Sequence, residues 1–145
     1  MGSVSLQHIH IVTEDKYVLA NWYVEYLGFK IVEDLEKLGE VQGPLVISGD
    51  EGQTGLALFN KKDRHSSVGT NVIPAFEVSP EEFVRLFQKS MTDSKLVMFD
   101  HLIFFSFYLK DSDGSPVEIT SKKYQEVKER LEREGIPFEP MLPPS

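Results

Sequence analysis

A chain of 145 residues with 41% hydrophobic content is long enough to bury a sizeable core, which points to one compact domain or two small fused modules. No apolar run approaches the ~20 residues of a membrane helix, and Met1-Gly2-Ser3-Val4-Ser5 lacks the basic and apolar regions of an export signal, so a cytoplasmic protein without a membrane partner is expected. Absence of cysteine excludes disulfides, thiolate metal sites and a cysteine nucleophile, while 23 acidic against 15 basic residues give a formal charge of -8 that repels nucleic acid.

The first element is a strand at 6–12, Leu-Gln-His-Ile-His-Ile-Val, with β-branched residues at alternate positions and a break at Thr13-Glu14-Asp15. A helix is predicted over 16–27, where Leu19, Trp22, Tyr23 and Tyr26 recur on one face and Gly28 supplies the stop. Three short β segments follow at about 29–35, 44–48 and 54–59, separated by glycines and the Gly49-Asp50-Glu51-Gly52 turn signal. Polar residues 60–70 then read as a linker.

A second unit repeats the order. Its strand, 71–78, runs into Ser79-Pro80-Glu81-Glu82, read as a helix start with Ser79 as N-cap, Pro80 in the first turn and Glu82 completing a capping box. Phe83, Val84, Leu86 and Phe87 supply the apolar side of that helix. Strands are predicted at about 95–99, 102–110 and 116–120, the last two joined by Asp111-Ser112-Asp113-Gly114. The two strand-to-helix passages can be overlaid, with Ile9 to Asp15 on Pro74 to Pro80, which points to internal duplication. A charged amphipathic helix at 122–134 stops at Gly135, and the proline-rich tail after it has no periodic pattern and could drape over the body or a partner subunit.

Three places carry candidate chemistry. In the first strand His8 and His10 share a face, either as histidines satisfied by hydrogen bonds or as a pair converging on a ligand or metal. Glu118, between Val117 and Ile119, faces either water or a ligand-holding side of its sheet, where its charge would need a cation, a proton or several donors. The aromatic residues Phe104, Phe105, Phe107 and Tyr108 crowd one strand and Phe59 ends an equivalent one; they are core or the wall of a binding cup.

The Asp111-Ser112-Asp113-Gly114 hairpin with Glu118 after it, the opening Leu6-Gln7-His8-Ile9 and the helix end Tyr23-Val24-Glu25-Tyr26-Leu27-Gly28-Phe29 together resemble the vicinal oxygen chelate superfamily. That group contains glyoxalase I, bleomycin and fosfomycin resistance proteins and extradiol dioxygenases. The resemblance spans about 6–120. It implies an α+β fold of two β-α-β-β-β modules, at about 6–59 and 71–120, whose curved mixed sheets form a cup, with the C-terminal helix added, and often a homodimer. It places His8 and Glu118 at metal-ligand positions, whereas the two other ligand positions hold Ile73 and, approximately, Ala57, which offer no donor. His101, in Asp100-His101, stands where some ring-cleaving members carry an acid-base histidine; the other reading is a surface histidine before a strand.

Two functional classes follow. One is a small-molecule binding protein holding an aromatic or hydrophobic ligand in the cup, with His10, Phe59, Phe105 and Phe107 as contacts. The other is a lyase or extradiol-type dioxygenase dependent on a divalent metal (iron, manganese, zinc or nickel) held by His8 and Glu118, with His10 or His101 as the source of a third donor. The missing ligands favour the binder, so the purified protein is expected to lack stoichiometric metal. An interaction module with an empty vestigial cup is a third reading.

Overall fold

The computed structural model describes residues 5–63, 73–91 and 95–140. The chain divides into two units, one comprising Met1–Val72 with Asp111–Ser115, the other Ile73–Lys110 with Pro116–Ser145. Each contains one mixed sheet and the fold is α+β. Among the described residues no helix is long and apolar enough to cross a membrane.

The first unit runs β1 (His8–Thr13), α1 (Lys16–Leu27), β2 (Lys30–Asp34), β3 (Leu45–Ser48) and β4 (Gly55–Asn60). Its sheet has the order β1-β4-β3-β2, with β1 parallel to β4 and the other pairs antiparallel. Helix α1 begins where the Asp15 carboxylate accepts the N–H groups of Tyr17 at 2.9 Å and Val18 at 3.4 Å, satisfying donors that have no partner inside the helix. It ends at Gly28, whose φ of 69° is open to a residue without a β-carbon. Leu19, Ala20 and Tyr23 are buried on the side facing β3 and β4, where Leu45, Ile47, Leu56 and Leu58 form the core.

Lys16 is completely buried, yet both polar demands are met. Its Nζ donates to the Gly43 carbonyl at 2.9 Å and to Glu36 Oε2 at 2.5 Å, which pins the 35–43 loop against the start of α1. The Lys16 N–H donates to Asn60 Oδ1 at 2.8 Å, so Asn60 completes β4 rather than opening the linker. Of that linker Lys61–Asp63 form a 3-10 turn, and 64–72 lie outside the described residues.

The second unit runs β5 (Ala75–Glu77), α2 (Pro80–Ser90), β6 (Phe99–Asp100), β7 (Phe105–Lys110), β8 (Pro116–Ser121), α3 (Tyr124–Arg133) and β9 (Glu139–Pro140), with sheet order β5-β8-β7-β6-β9. Ser79 caps α2 by accepting the Glu82 N–H at 3.2 Å, but the Glu82 carboxylate accepts from Arg85 Nε at 2.8 Å, so only half of the expected capping box forms. The helix caps Asp15 and Ser79 also stand one residue out of step with an alignment that lays Asp15 on Pro80. Phe83 and Phe87 of α2 meet the ring of Phe107 edge-on, at centroid distances of 5.0 and 5.2 Å.

Three predicted strands are shorter in the structure: the one expected at 71–78 is a strand only at Ala75–Glu77 among the described residues, and two others lie around one turn. The segment expected at 95–99 is extended in a ladder only at Phe99–Asp100, and the one expected at 102–110 starts at Phe105, because the chain reverses between them: the His101 N–H donates to the Phe104 carbonyl at 2.9 Å and Leu102 adopts a left-handed φ of 73°. The turn contains no Gly, Pro or Asn to announce it. Of the two readings of the C-terminal region, draping over the body holds for its described part. Glu139–Pro140 pair with β6, and Phe138 packs edge-on against Phe105 at 5.2 Å.

Candidate functional site

In the first sheet, β1 alternates as the sequence suggests. Ile11 and Thr13 are buried on the helix side, while His8 and His10 are exposed on the other. Their rings stack at 5.3 Å with 17° between planes, and His10 also lies 4.9 Å from Phe59. Parallel pairing explains the second contact: His10 stands opposite Ala57 and Val12 opposite Phe59, so Phe59 is the diagonal neighbour of His10 on the same face. His8 Nδ1 makes a short contact with Gln7 Oε1. The result is a row of three rings, two of them open to solvent.

The second sheet carries a polar row. Register places Tyr108 opposite Glu118 and Phe99 opposite Ser106, so Glu118, Tyr108, Ser106 and Phe99 share the face turned away from α2. The Tyr108 hydroxyl donates to Glu118 Oε1 at 3.1 Å. Burial, then the nearby Glu118 charge and that hydrogen bond, raise the Tyr108 pKa, against a lowering from Ser106; the phenol is therefore a neutral donor at physiological pH. Ser106, with no exposed surface, shares a 2.6 Å hydrogen bond with His101 Nε2, and the His101 ring stacks on Phe104 at 4.5 Å. Glu118 and His101 thus lie on one face with Tyr108 and Ser106 between them.

Phe105 and Phe107 occupy the opposite face of β7 and are wholly buried. Phe107 packs on α2, and Phe105 stacks on Tyr124 of α3 at 4.9 Å. Their surroundings are protein on the helix side, where no ligand surface is open. Sequence reasoning missed Ser106 and the pairing of Tyr108. The signal was the turn at Asp111–Ser115, which sets Lys110 against Pro116 and hence Tyr108 against Glu118.

The resemblance implies a metal centre with three protein donors in its metal-dependent members, and the residues present do not fit one. The neighbour of His10 on β4 is Ala57, that of Glu118 on β5 is Ala75, and Ile73 is a half-exposed hydrocarbon. Among the described residues no three His, Asp or Glu side chains are grouped to hold an ion; His65 lies outside them. One open cleft of about 540 Å³ is lined by Glu14, Asp15, Val18, Ser112 and Asp113, and another of about 400 Å³ by residues 77–80 and 121–123; none of His8, His10, Phe59, His101, Phe105, Phe107 and Glu118 lines either.

Neither family models nor curated protein sequences match the chain. Solved structures do. A protein from Bacillus anthracis described as glyoxalase family superposes with a TM-score of 0.63 at 17% identity, covering 85% of this chain and 98% of that one. The oxidase ChaP-H2 gives 0.57 at 17% identity, covering 87% and 99%, and a lactoylglutathione lyase from Agrobacterium tumefaciens gives 0.56 at 13%, covering 83% and 96%. These likenesses show that the chain shares the α+β fold of those structures, in keeping with the fold that the hairpin and strand motifs of the sequence imply.

Proposed function

We propose that the protein binds a small molecule with a flat aromatic or hydrophobic part, held against the face of the first sheet that carries His8 and His10, without performing chemistry on it. The observation that carries this reading is the row His8, His10 and Phe59: two exposed, stacked imidazoles backed by a phenyl ring. Exposed ring faces in line offer a planar ligand stacking worth about 0.5–1.5 kcal/mol per ring pair beyond the area buried. Imidazole nitrogens at the ring edges add hydrogen bonds that select among planar ligands.

The test is a titration with anilinonaphthalene sulfonate, a generic aromatic probe, followed by its fluorescence and by the imidazole NMR signals. Binding is expected to move the signals of His8 and His10, and the His8→Ala/His10→Ala variant is expected to lose at least about tenfold in affinity, the equivalent of 1.4 kcal/mol. Unmoved histidine signals, or equal affinity in the variant, overturn the reading. Elemental analysis showing close to one metal ion per chain, lost in His8→Ala, would replace it with a metal-dependent lyase or dioxygenase. A homodimer is the assembly proposed with it, checked by native mass.

A further inference from the structure

We infer that Asp100 is the positioning residue for His101, and that the C-terminal helix holds the imidazole in place through it. The turn joining β6 to β7 is built on Leu102 at a φ of 73°. For a residue with a β-carbon the left-handed conformation is strained. Packing of the Leu102 side chain does not repay that strain, since Leu102 and Ile103 are 72% and 74% exposed. Beside the backbone bond from the His101 N–H to the Phe104 carbonyl, Asp100 holds the bend: its Oδ1 accepts the Leu102 N–H at 2.8 Å, a side-chain bond two residues along.

The other oxygen of the same carboxylate is held from α3. Asp100 Oδ2 accepts the Tyr124 hydroxyl at 2.9 Å, and the Tyr124 ring lies flat on the buried Phe105 at 4.9 Å and 9°. Helix, carboxylate and strained turn therefore form one chain of contacts. His101 is the residue between the two ends of the Asp100–Leu102 bond. Its direction is set by that bend, which delivers the ring onto Phe104 at 4.5 Å and Nε2 onto Ser106 Oγ at 2.6 Å. Ser106 engages Nε2, so Nδ1 is the nitrogen presented for other contacts. The chemistry that requires the strain is orientation of this imidazole beside the row formed by Ser106, Tyr108 and Glu118. Positioning stands apart from any ligand; only its use in binding rests on the function proposed above.

The test uses the full chain labelled at histidine, read by long-range proton–nitrogen spectra that report each ring's tautomer and hydrogen bonds. Asp100→Ala is expected to erase the bonded Nε2 signature of His101 while leaving the His8 and His10 signals in place. Leu102→Gly added to Asp100→Ala is expected to restore it, because glycine adopts a positive φ without help. Tyr124→Phe is expected to weaken it. An unchanged His101 spectrum in Asp100→Ala overturns the inference, as does failure of Leu102→Gly to rescue, which would mark Asp100 as a general structural anchor. Should Asp100→Ala not fold, Tyr124→Phe decides: an unmoved His101 ring overturns it. A ring restored in the double variant but indifferent to the aromatic probe supports the positioning and counts only against the proposed function.

Discussion

The two units share an order of elements but hold their helices by different means and carry different side chains on the faces away from them. In the second unit α2 is attached by aromatic edges, Phe83 and Phe87 against Phe107. In the first, the start of α1 is held by a buried cation, Lys16, that reaches Glu36 and the Gly43 carbonyl. On the other faces, the first sheet shows stacked imidazoles and the second a hydrogen-bonded row from Glu118 to His101. Each sheet sets its ionisable group beside an alanine, Ala57 next to His10 and Ala75 next to Glu118. A repeated backbone thus constrains the topology and leaves the chemistry of each face to single positions in the register.

The largest expected effect tests the aromatic attachment. Phe107→Ala should cost about 4 kcal/mol by loss of buried area and creation of a cavity, measured by denaturant unfolding. A loss below about 1 kcal/mol would mean that α2 does not depend on this ring. For the first unit, Lys16→Met keeps the apolar stem but leaves the buried Gly43 carbonyl without its donor; a cost of about 2 kcal/mol is expected, smaller because Glu36 is half exposed and can turn to water. An equal or greater loss than Phe107→Ala would reverse the ranking of the two attachments.

The smallest effect concerns Asp111 in the turn assigned to the first unit. Burial lifts its carboxyl above the usual range, against the Ser115 and Asp113 N–H groups, which pull the other way. A raised folded pKa favours folding below the unfolded pKa, and that contribution is lost as pH rises through the folded value. Asp111→Asn keeps the accepting oxygen and removes the charge. It should therefore raise the melting temperature at pH 7, with the gain vanishing as pH falls below the carboxylate range. A gain that grows toward low pH would contradict the burial of this carboxyl.

Much of the fold was legible because its signals are local. Gly28 ends α1 through capping geometry, the break at Thr13-Glu14-Asp15 precedes it, Ser79 and Pro80 open α2, and alternation in the first strand separates Ile11 from His8 and His10. Each rests on residues within a few positions of one another, where side-chain size and backbone hydrogen bonding act directly. The turn at His101–Phe104 escaped because its bend is held by a carboxylate, with an exposed leucine in the left-handed position.

Which face of β7 meets the helix was beyond the sequence for a different reason. Phe105 and Phe107 alternate with Phe104, Ser106 and Tyr108, so both parities carry aromatic rings and hydrophobicity cannot choose between them. Tertiary structure chose, by packing Phe107 on α2 and Phe105 under Tyr124, and so left Tyr108 to meet Glu118. The sequence by itself determined the order of the strands and α-helices from β1 to α3 and the alternation of histidines on β1. Register across strands decided that His10 neighbours Ala57 and Glu118 neighbours Ala75, and long-range contact decided that Tyr124 reaches Asp100. Those pairings join residues far apart in the chain, and no local propensity encodes which distant side chain will arrive.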